Sequence, residues 1–464
     1  MKPIDYRQTT LETLLSWLDS GETTSVDLTE HSLSMIRQQD KSGPAWHAIT
    51  WLFEKQAIEC AKLSDARRQR QQKIGKLEGI PVLVKDNIDV AGWPTTAGSL
   101  ALAGIVATED AEIVAALRRE GAIIIGKTAM HELAAGITGA SSFSGFTQNA
   151  LVPGYTAGGS SSGSAVAVAV GYVPLAIGTD TAGSVRIPAA FNGVTGLRPE
   201  TGTISLSGIV PLSPTQDTSG PLVRYASDLP RVMEILSGTK FPPLQDRIRA
   251  GYVAGWVEGE NSVSIVVKTV LNSLTEKGVS LCRVEVEGLT EQVDAANVIA
   301  FEFAEALADD LAARTGARFL TLSDILTSGL YHPQLEKVFT TRAQHPGRTD
   351  KGYEEAKVRQ EKLRKRLDAL FTQQKINLLV YPVVGENPVR HGEMQSGSHG
   401  LLAAVTGMPA LSLPVGFSKE GFPVGLELLV RRGQVPLLMH AAAHWQSLLN
   451  YPGLTTPHFL SPRR

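Results

Sequence analysis

The chain has 464 residues, 43% of them hydrophobic and 19% charged, with a formal net charge of −2 at neutral pH. That balance offers no basic field for nucleic acid or for an anionic membrane surface, and no apolar run is long enough for a membrane helix. Two cysteines, Cys60 and Cys282, make no disulfide framework and suit a reducing compartment.

The N-terminal "MKPIDYRQTTLETLL" lacks an apolar signal core, so a cytoplasmic enzyme is expected. Residues 1–65 read as helices. "TLETLLSWLDSG" carries apolar residues at helical spacing and stops at Gly21, and Thr24 with Asp27 three positions on is a helix start. Ile80–Val84 is a short buried strand; a helix over Ala111–Glu120 and a strand over Ala122–Ile125 follow. This strand-then-helix rhythm argues an α/β sheet covered by helices on both faces. Between Pro153 and Gly220 the chain is dense in Gly, Ser, Thr and Pro, yet "YVPLAIGTD" and "IPAAFNGVTGLRP" read as strands and tight turns of a packed core. Ser262 to Gln374 is mostly helical, and "INLLVYPVV" and "PALSLPVGF" return to buried strands. Strands at both ends of the chain point to one sheet in one large domain.

Three patterns suggest other chemistries. "GAIIIGKT", Gly121–Thr128, fits the phosphate-loop spacing, but Ala-Ile-Ile-Ile is a buried strand where a cradle needs a flexible loop. "GSSSG", Gly159–Gly163, centres Ser161 as a nucleophile elbow would, but a loop broken by Pro153 and Gly154 precedes it, not a strand. His131–Glu132 lacks the second histidine of a zinc helix, since Ala135 stands four residues on, and His391 and His399 have no ligand spacing. No metal and no cofactor is expected.

A lysine just past a buried strand, Lys85 in "GIPVLVKDNID", is costly unless paired; Asp86 or Asp89 could pair with it. Two further segments favour chemistry. "GTDTAGS" brackets a turn between Gly178 and Gly183 whose amides could converge on an oxyanion, and Ser184 closes it. A desolvated lysine can then act as the base for a serine.

With "GGSSSGSAVAVAVGYVPLAIGTDTAGSVRIPAAFNGVTGLRPETG" and "GIPVLVKDNIDVAG", the sequence resembles the amidase signature family, most densely from about Lys73 to Arg224. The resemblance implies a single amidase domain over 1–464 with a central mixed, twisted sheet. Within it, 1–65 are N-terminal helices, 73–225 the catalytic core, 226–375 a mainly helical substrate-facing region and 376–464 strands returning to the sheet. It also implies a Ser-cisSer-Lys triad of Ser184, Ser160 and Lys85, with Ser160 following a cis peptide. The backbone amides of Thr181, Ala182, Gly183 and Ser184 would form the oxyanion hole. "AVAVAV" alternates like a strand; the resemblance makes it a helix. Two positions depart from the commoner pattern: Ser162 and Ala182 stand where glycine is usual.

"KTAMHELAAGITGASSFSGFTQNALVPGYTAGGSS" is similar to indoleacetamide and mandelamide hydrolases, and "VKDNIDVAGWPTTAGS" also to allophanate hydrolases. The expected activity is hydrolysis of a small carboxamide to acid and ammonia. Alternatives are a ureido-amide hydrolase, an amidotransferase-subunit-like protein and, outside the family, a nucleotide binder. The expected partner is a small-molecule amide, without nucleic acid or membrane, and a homodimer is compatible with this reading. Specificity is expected from the helical second half and the loop around Gly136–Phe146.

Overall fold

The computed structural model describes residues 3–241 and 247–451. Residues 1–2 and 452–464 of the expected domain, and 242–246 of its expected helical region, lie outside the described residues. Among the described residues, eleven strands form a single sheet. They are β1 (Ile49–Leu52), β2 (Pro81–Lys85), β3 (Ile123–Thr128), β4 (Leu175–Asp180), β5 (Thr195–Arg198), β6 (Thr218–Val223), β7 (Arg249–Val253), β8 (Ser280–Val284), β9 (Leu378–Pro382), β10 (Ala410–Phe417) and β11 (Pro423–Leu429). Their order is β1-β3-β2-β4-β6-β5-β10-β11-β9-β7-β8. β2 runs parallel to both β3 and β4, and β7 parallel to β8 and β9, while the other pairs are antiparallel, so the sheet is mixed.

Side chains alternate across a strand, so a buried strand feeds two cores. Val82, Val84, Ile124, Leu175 and Ile177 enter one apolar cluster, and Leu83, Ile123, Ile125 and Ala176 enter the cluster on the opposite face. Helices cover both. Leu11–Ser20 and Val435–Leu449 pack into the first cluster, and Ser162–Ala169 lies within the second. The chain is therefore one α/β domain built on a mixed sheet.

Local signals placed several elements closely. Thr24 and Asp27 form a reciprocal capping box at the start of helix Ser25–Gln39. The helix expected over Ala111–Glu120 spans Glu112–Arg119. β3 runs past the expected Ile125 to Thr128 and takes Gly126 and Lys127 into the ladder. The phosphate-loop pattern is thus a strand. The Lys127 ammonium is buried, pairs with Asp86 at 3.2 Å and donates to the Pro94 carbonyl at 2.7 Å.

"AVAVAV" is helical: every residue of Ser162–Ala169 is buried. A helix enclosed on all sides carries no polar face, so its period cannot be read from hydrophobicity. β1, β6, β7, β8 and β11 were not expected; β1, β7 and β8 are only four or five residues long, too short to give a clear alternation, and β6 and β11 each carry a glycine and a proline that read as turn signals.

Candidate active site

β2 and β4 are parallel neighbours, so their C-terminal ends open on the same side of the sheet. Lys85 is the last residue of β2, and Thr179 and Asp180 end β4. The Lys85 ammonium donates to Ser160 Oγ and to Thr179 Oγ1, both at 2.7 Å. Asn87 Nδ2 also donates to Thr179 Oγ1, at 3.2 Å, and fixes that hydroxyl. Neither acidic neighbour neutralises the lysine: Asp86 pairs with Lys127, and Asp89 pairs with Arg314 at 2.8 Å. Lys85 is fully buried, and desolvation pushes its pKa down to about 7, against the pull of the Asp180 and Asp217 charges.

The four serines of the Gly/Ser loop are all buried and do different things. The Gly159–Ser160 peptide is cis. Ser160 meets Lys85, and its carbonyl accepts the His131 N–H at 3.0 Å. Ser161 Oγ accepts the Thr179 N–H at 3.2 Å and donates to the Thr179 carbonyl at 3.1 Å, which stitches the loop to β4. Ser162 Oγ donates to the Gly158 carbonyl, and Ser164 Oγ sits 2.7 Å from Thr128 Oγ1. Gly163 is forced by close approach, because a Cβ there would stand 2.2 Å from the Ala48 carbonyl oxygen.

The turn from β4 into helix Arg186–Asn192 wraps around one carboxylate. Asp180 Oδ1 accepts the Gly183 N–H and Arg186 Nη2, both at 2.9 Å, and Arg198 Nη1 at 3.1 Å. Its Oδ2 accepts the Val185 N–H at 3.0 Å and Arg186 Nε at 3.1 Å. Burial alone would raise Asp180, but Arg186 and Arg198 outweigh it and hold the carboxyl well below the usual range. Gly183 has φ +109°, and a Cβ there would press on Ile187. Ser184 is 4% exposed; its carbonyl accepts the Ser161 N–H at 3.0 Å. Among the described residues, the Ser184 hydroxyl and the amides of Thr181, Ala182 and Ser184 have no hydrogen-bond partner in the protein. The structure therefore brings Lys85 to Ser160 and ties the Ser184 turn to the same loop by its backbone, without a hydrogen bond between the Ser160 and Ser184 hydroxyls.

A cavity of about 220 Å³ opens on Thr179 and Thr181 and is walled by Ala134, Val210, Leu212 and Asp217 among others. It is smaller than the roughly 300–1,000 Å³ clefts that hold drug-sized ligands. Ala182 packs on the apolar cluster that contains Ala134, Leu212, Phe303 and Phe339, so the serine turn and the helical second half share one apolar core. The Gly136–Phe146 loop is tied to that half through Glu132, whose Oε2 accepts the Ser142 N–H at 2.9 Å and the His332 N–H at 3.0 Å.

Sequence reading missed Thr179, Asn87, Asp180, Arg186 and Asp217. A signal was present, since an Asp and an Arg flank the serine turn in "TDTAGSVR". Nothing in one dimension told that pair from surface charges.

Comparison with known proteins accords with this arrangement. The family model described as Amidase matches residues 28–438. The indoleacetamide hydrolase of Pseudomonas savastanoi is 34% identical, over 97% of this chain and 98% of that one. A glutamyl-tRNA(Gln) amidotransferase subunit from Rhodopirellula baltica is 30% identical, over 96% and 97%. Among solved structures, the native peptide amidase from Stenotrophomonas maltophilia superposes with a TM-score of 0.87 at 29% identity, covering 97% of this chain and 98% of that one. With the model and full-length relatives in agreement, this protein is a member of the amidase signature family.

Proposed function

We propose that the protein hydrolyses a small carboxamide to a carboxylic acid and ammonia through an acyl-enzyme on Ser184. Ser184 Oγ attacks the amide carbon as its proton passes to Ser160, and the Ser160 proton passes to the lone pair of neutral Lys85. The oxyanion is met by the free amides of Thr181, Ala182 and Ser184, while the Gly183 N–H, held by Asp180, shapes the turn. Lys85 returns its proton through Ser160 to the departing nitrogen, and ammonia leaves. Water then attacks the ester by the same relay in reverse and releases the acid. The Ser184–Ser160 contact forms on substrate binding, as catalytic hydrogen bonds commonly do.

The observation that carries this reading is a fully buried lysine without a carboxylate partner, 2.7 Å from Ser160 and shifted to about 7. Such a lysine is about half neutral at pH 7, largely neutral above it, and already hydrogen-bonded to a hydroxyl. Similarity to an indoleacetamide hydrolase over nearly the whole chain supports a stand-alone hydrolase. The free thiols of Cys60 and Cys282 suit the cytoplasm. The test is ammonia release across a panel of aryl, aliphatic and ureido carboxamides. Ser184→Ala and Lys85→Ala are expected to fold normally by circular dichroism and lose on the order of 10³-fold or more in kcat/KM. Near-normal rates in either variant would overturn the assignment.

A further inference from the structure

The β4–β6 ladder ends on a buried polar pair. Its antiparallel register sets Asp180 opposite Thr218, so the next residues outward, Thr181 and Asp217, meet across the strands. The Thr181 hydroxyl donates to Asp217 Oδ1 at 2.5 Å, and both side chains are buried. Oδ2 of the same carboxylate accepts the Leu212 N–H at 2.9 Å and the Ser213 N–H at 3.0 Å. Asp217 is itself firmly seated. Arg198 donates to the Asp180 carbonyl at 2.5 Å and to the Gln216 carbonyl at 2.7 Å, which fixes the residues preceding Thr181 and Asp217 side by side. On the other side, Ser213 Oγ donates to Glu302 Oε2 at 2.5 Å and Thr215 Oγ1 to Glu302 Oε1 at 2.8 Å. Glu302 is fully buried in helix Ile299–Ala313, so the segment that carries Asp217 is clamped from two directions.

The serine turn needs such a mount in its first half. The Asp180 carboxylate holds the Gly183 and Val185 N–H groups, and none of its hydrogen bonds reaches Thr181 or Ala182. Ala182 has no polar side chain, and Gly183, at φ +109°, is a permissive joint. The Thr181 hydroxyl is therefore the side-chain anchor of the turn ahead of that joint, and Asp217 is what it is anchored to. Without it, the peptide planes around Thr181 and Ala182 would be free to rotate against the half of the turn that Asp180 holds.

We infer that Asp217 is a positioning residue for the reaction: by anchoring the Thr181 hydroxyl it keeps the amides of Thr181 and Ala182 aimed at the oxyanion. The inference rests on the acyl-enzyme reading and deepens it. Donors set in place beforehand need no reorganisation when charge develops, and a loosely mounted donor loses that advantage. Asp217 acts through Thr181 and touches no reacting atom. Its effect therefore belongs to the transition state, whereas its bonds to Leu212 and Ser213 shape the wall of the cavity beside the turn.

The test is the saturation kinetics of covalent labelling by a fluorophosphonate, which develops negative charge on its phosphoryl oxygen as the serine attacks. The affinity of the first complex, KI, and the labelling rate constant at saturation, kinact, are read separately, and the labelled residue is mapped. Thr181→Val keeps the shape and removes the hydroxyl. It is expected to lower kinact by on the order of 30-fold with KI within about 3-fold of the wild type. Thr181→Ser, which restores a hydroxyl, is expected to recover most of that loss. Asp217→Ala is expected to lower kinact to a similar extent, and Thr181→Val/Asp217→Ala to be no slower than Asp217→Ala by more than about 3-fold, because the two act as one unit. The rate constant is read on molecules that label, so partial misfolding does not alter it, and the two Thr181 variants decide the matter where Asp217→Ala does not fold. A kinact in Thr181→Val within about 3-fold of the wild type, a loss confined to KI, no recovery in Thr181→Ser, or losses that multiply in the double variant would each overturn the inference. A wild type that does not label on Ser184 would instead overturn the acyl-enzyme reading, and the inference with it.

Discussion

Lys85 shows what burial does to a single group. Its position after a buried strand was visible in the sequence, but whether a carboxylate would neutralise it was not. Both acidic candidates turned out to belong to other cations, Lys127 and Arg314, the second of them 225 positions from Asp89. Left with hydroxyl partners, the lysine is shifted from 10.5 to about 7. The sign for activity follows: a base that must be neutral works above its pKa. The expected kcat/KM therefore rises as pH increases through about 7 and levels off above it, measured with a substrate that does not titrate in that range. A profile falling from pH 6 to 9 would contradict the role. The same shift acts on stability. Because the folded pKa is lowered, the unfolded chain binds the extra proton between about 7 and 10.5, so this group's contribution diminishes as pH falls across that window.

Helix Ser162–Ala169 carries the argument at the scale of an element. Its sequence alternates like a strand because a helix enclosed by sheet strands and a neighbouring helix needs small residues on every side. Packing chose Ala, Val, Gly and Ser, and periodicity lost its meaning. Gly163 makes the point testable. In an exposed helix Gly→Ala stabilises by about 1 kcal/mol. Here the added methyl would stand 2.2 Å from the Ala48 carbonyl oxygen and 2.6 Å from the Ala129 nitrogen, so backbone must move. Gly163→Ala is expected to lower the denaturation midpoint, with a loss of about 1–3 kcal/mol from overpacking. An increase in stability would show that the helix sits further from the ends of β1 and β3 than these distances allow. Elsewhere elements were legible where local chemistry sets them, as in the Thr24–Asp27 capping box or the helix Glu112–Arg119.

Across the whole molecule, the sheet is assembled from strands far apart in sequence, and one ionic cluster bridges its halves. Asp180 ends β4, Arg186 opens the following helix, Arg198 ends β5, and Glu427 lies in β11, 241 positions from Arg186. The motif segments were legible as a set because they are local strings of small residues. The order of the strands was not, since β7 and β8 extend the far edge by the pairing of β7 with β9, which follows them by about a hundred residues. Asp180→Asn would leave Arg186 and Arg198 with less negative charge than they need. The expected cost is about 3–5 kcal/mol by chemical denaturation, as for breaking other buried ion pairs. Activity should fall with it, because the Gly183 and Val185 amides lose their anchor. A variant as stable as the wild type would mean that water or Glu427 answers the arginines.

The central claim is that the nucleophile is the single serine closing the turn after β4, not one of the four between Ser160 and Ser164 where the loop runs into the buried helix. Its most direct test is peptide mapping by mass spectrometry after reaction with a fluorophosphonate, at several pH values. The account predicts one modified residue, Ser184, labelled at a rate that rises through about pH 7 with Lys85 and falls sharply in Lys85→Ala. Label on Ser160, Ser161, Ser162 or Ser164 instead, or labelling of Ser184 that is indifferent to Lys85, would contradict it.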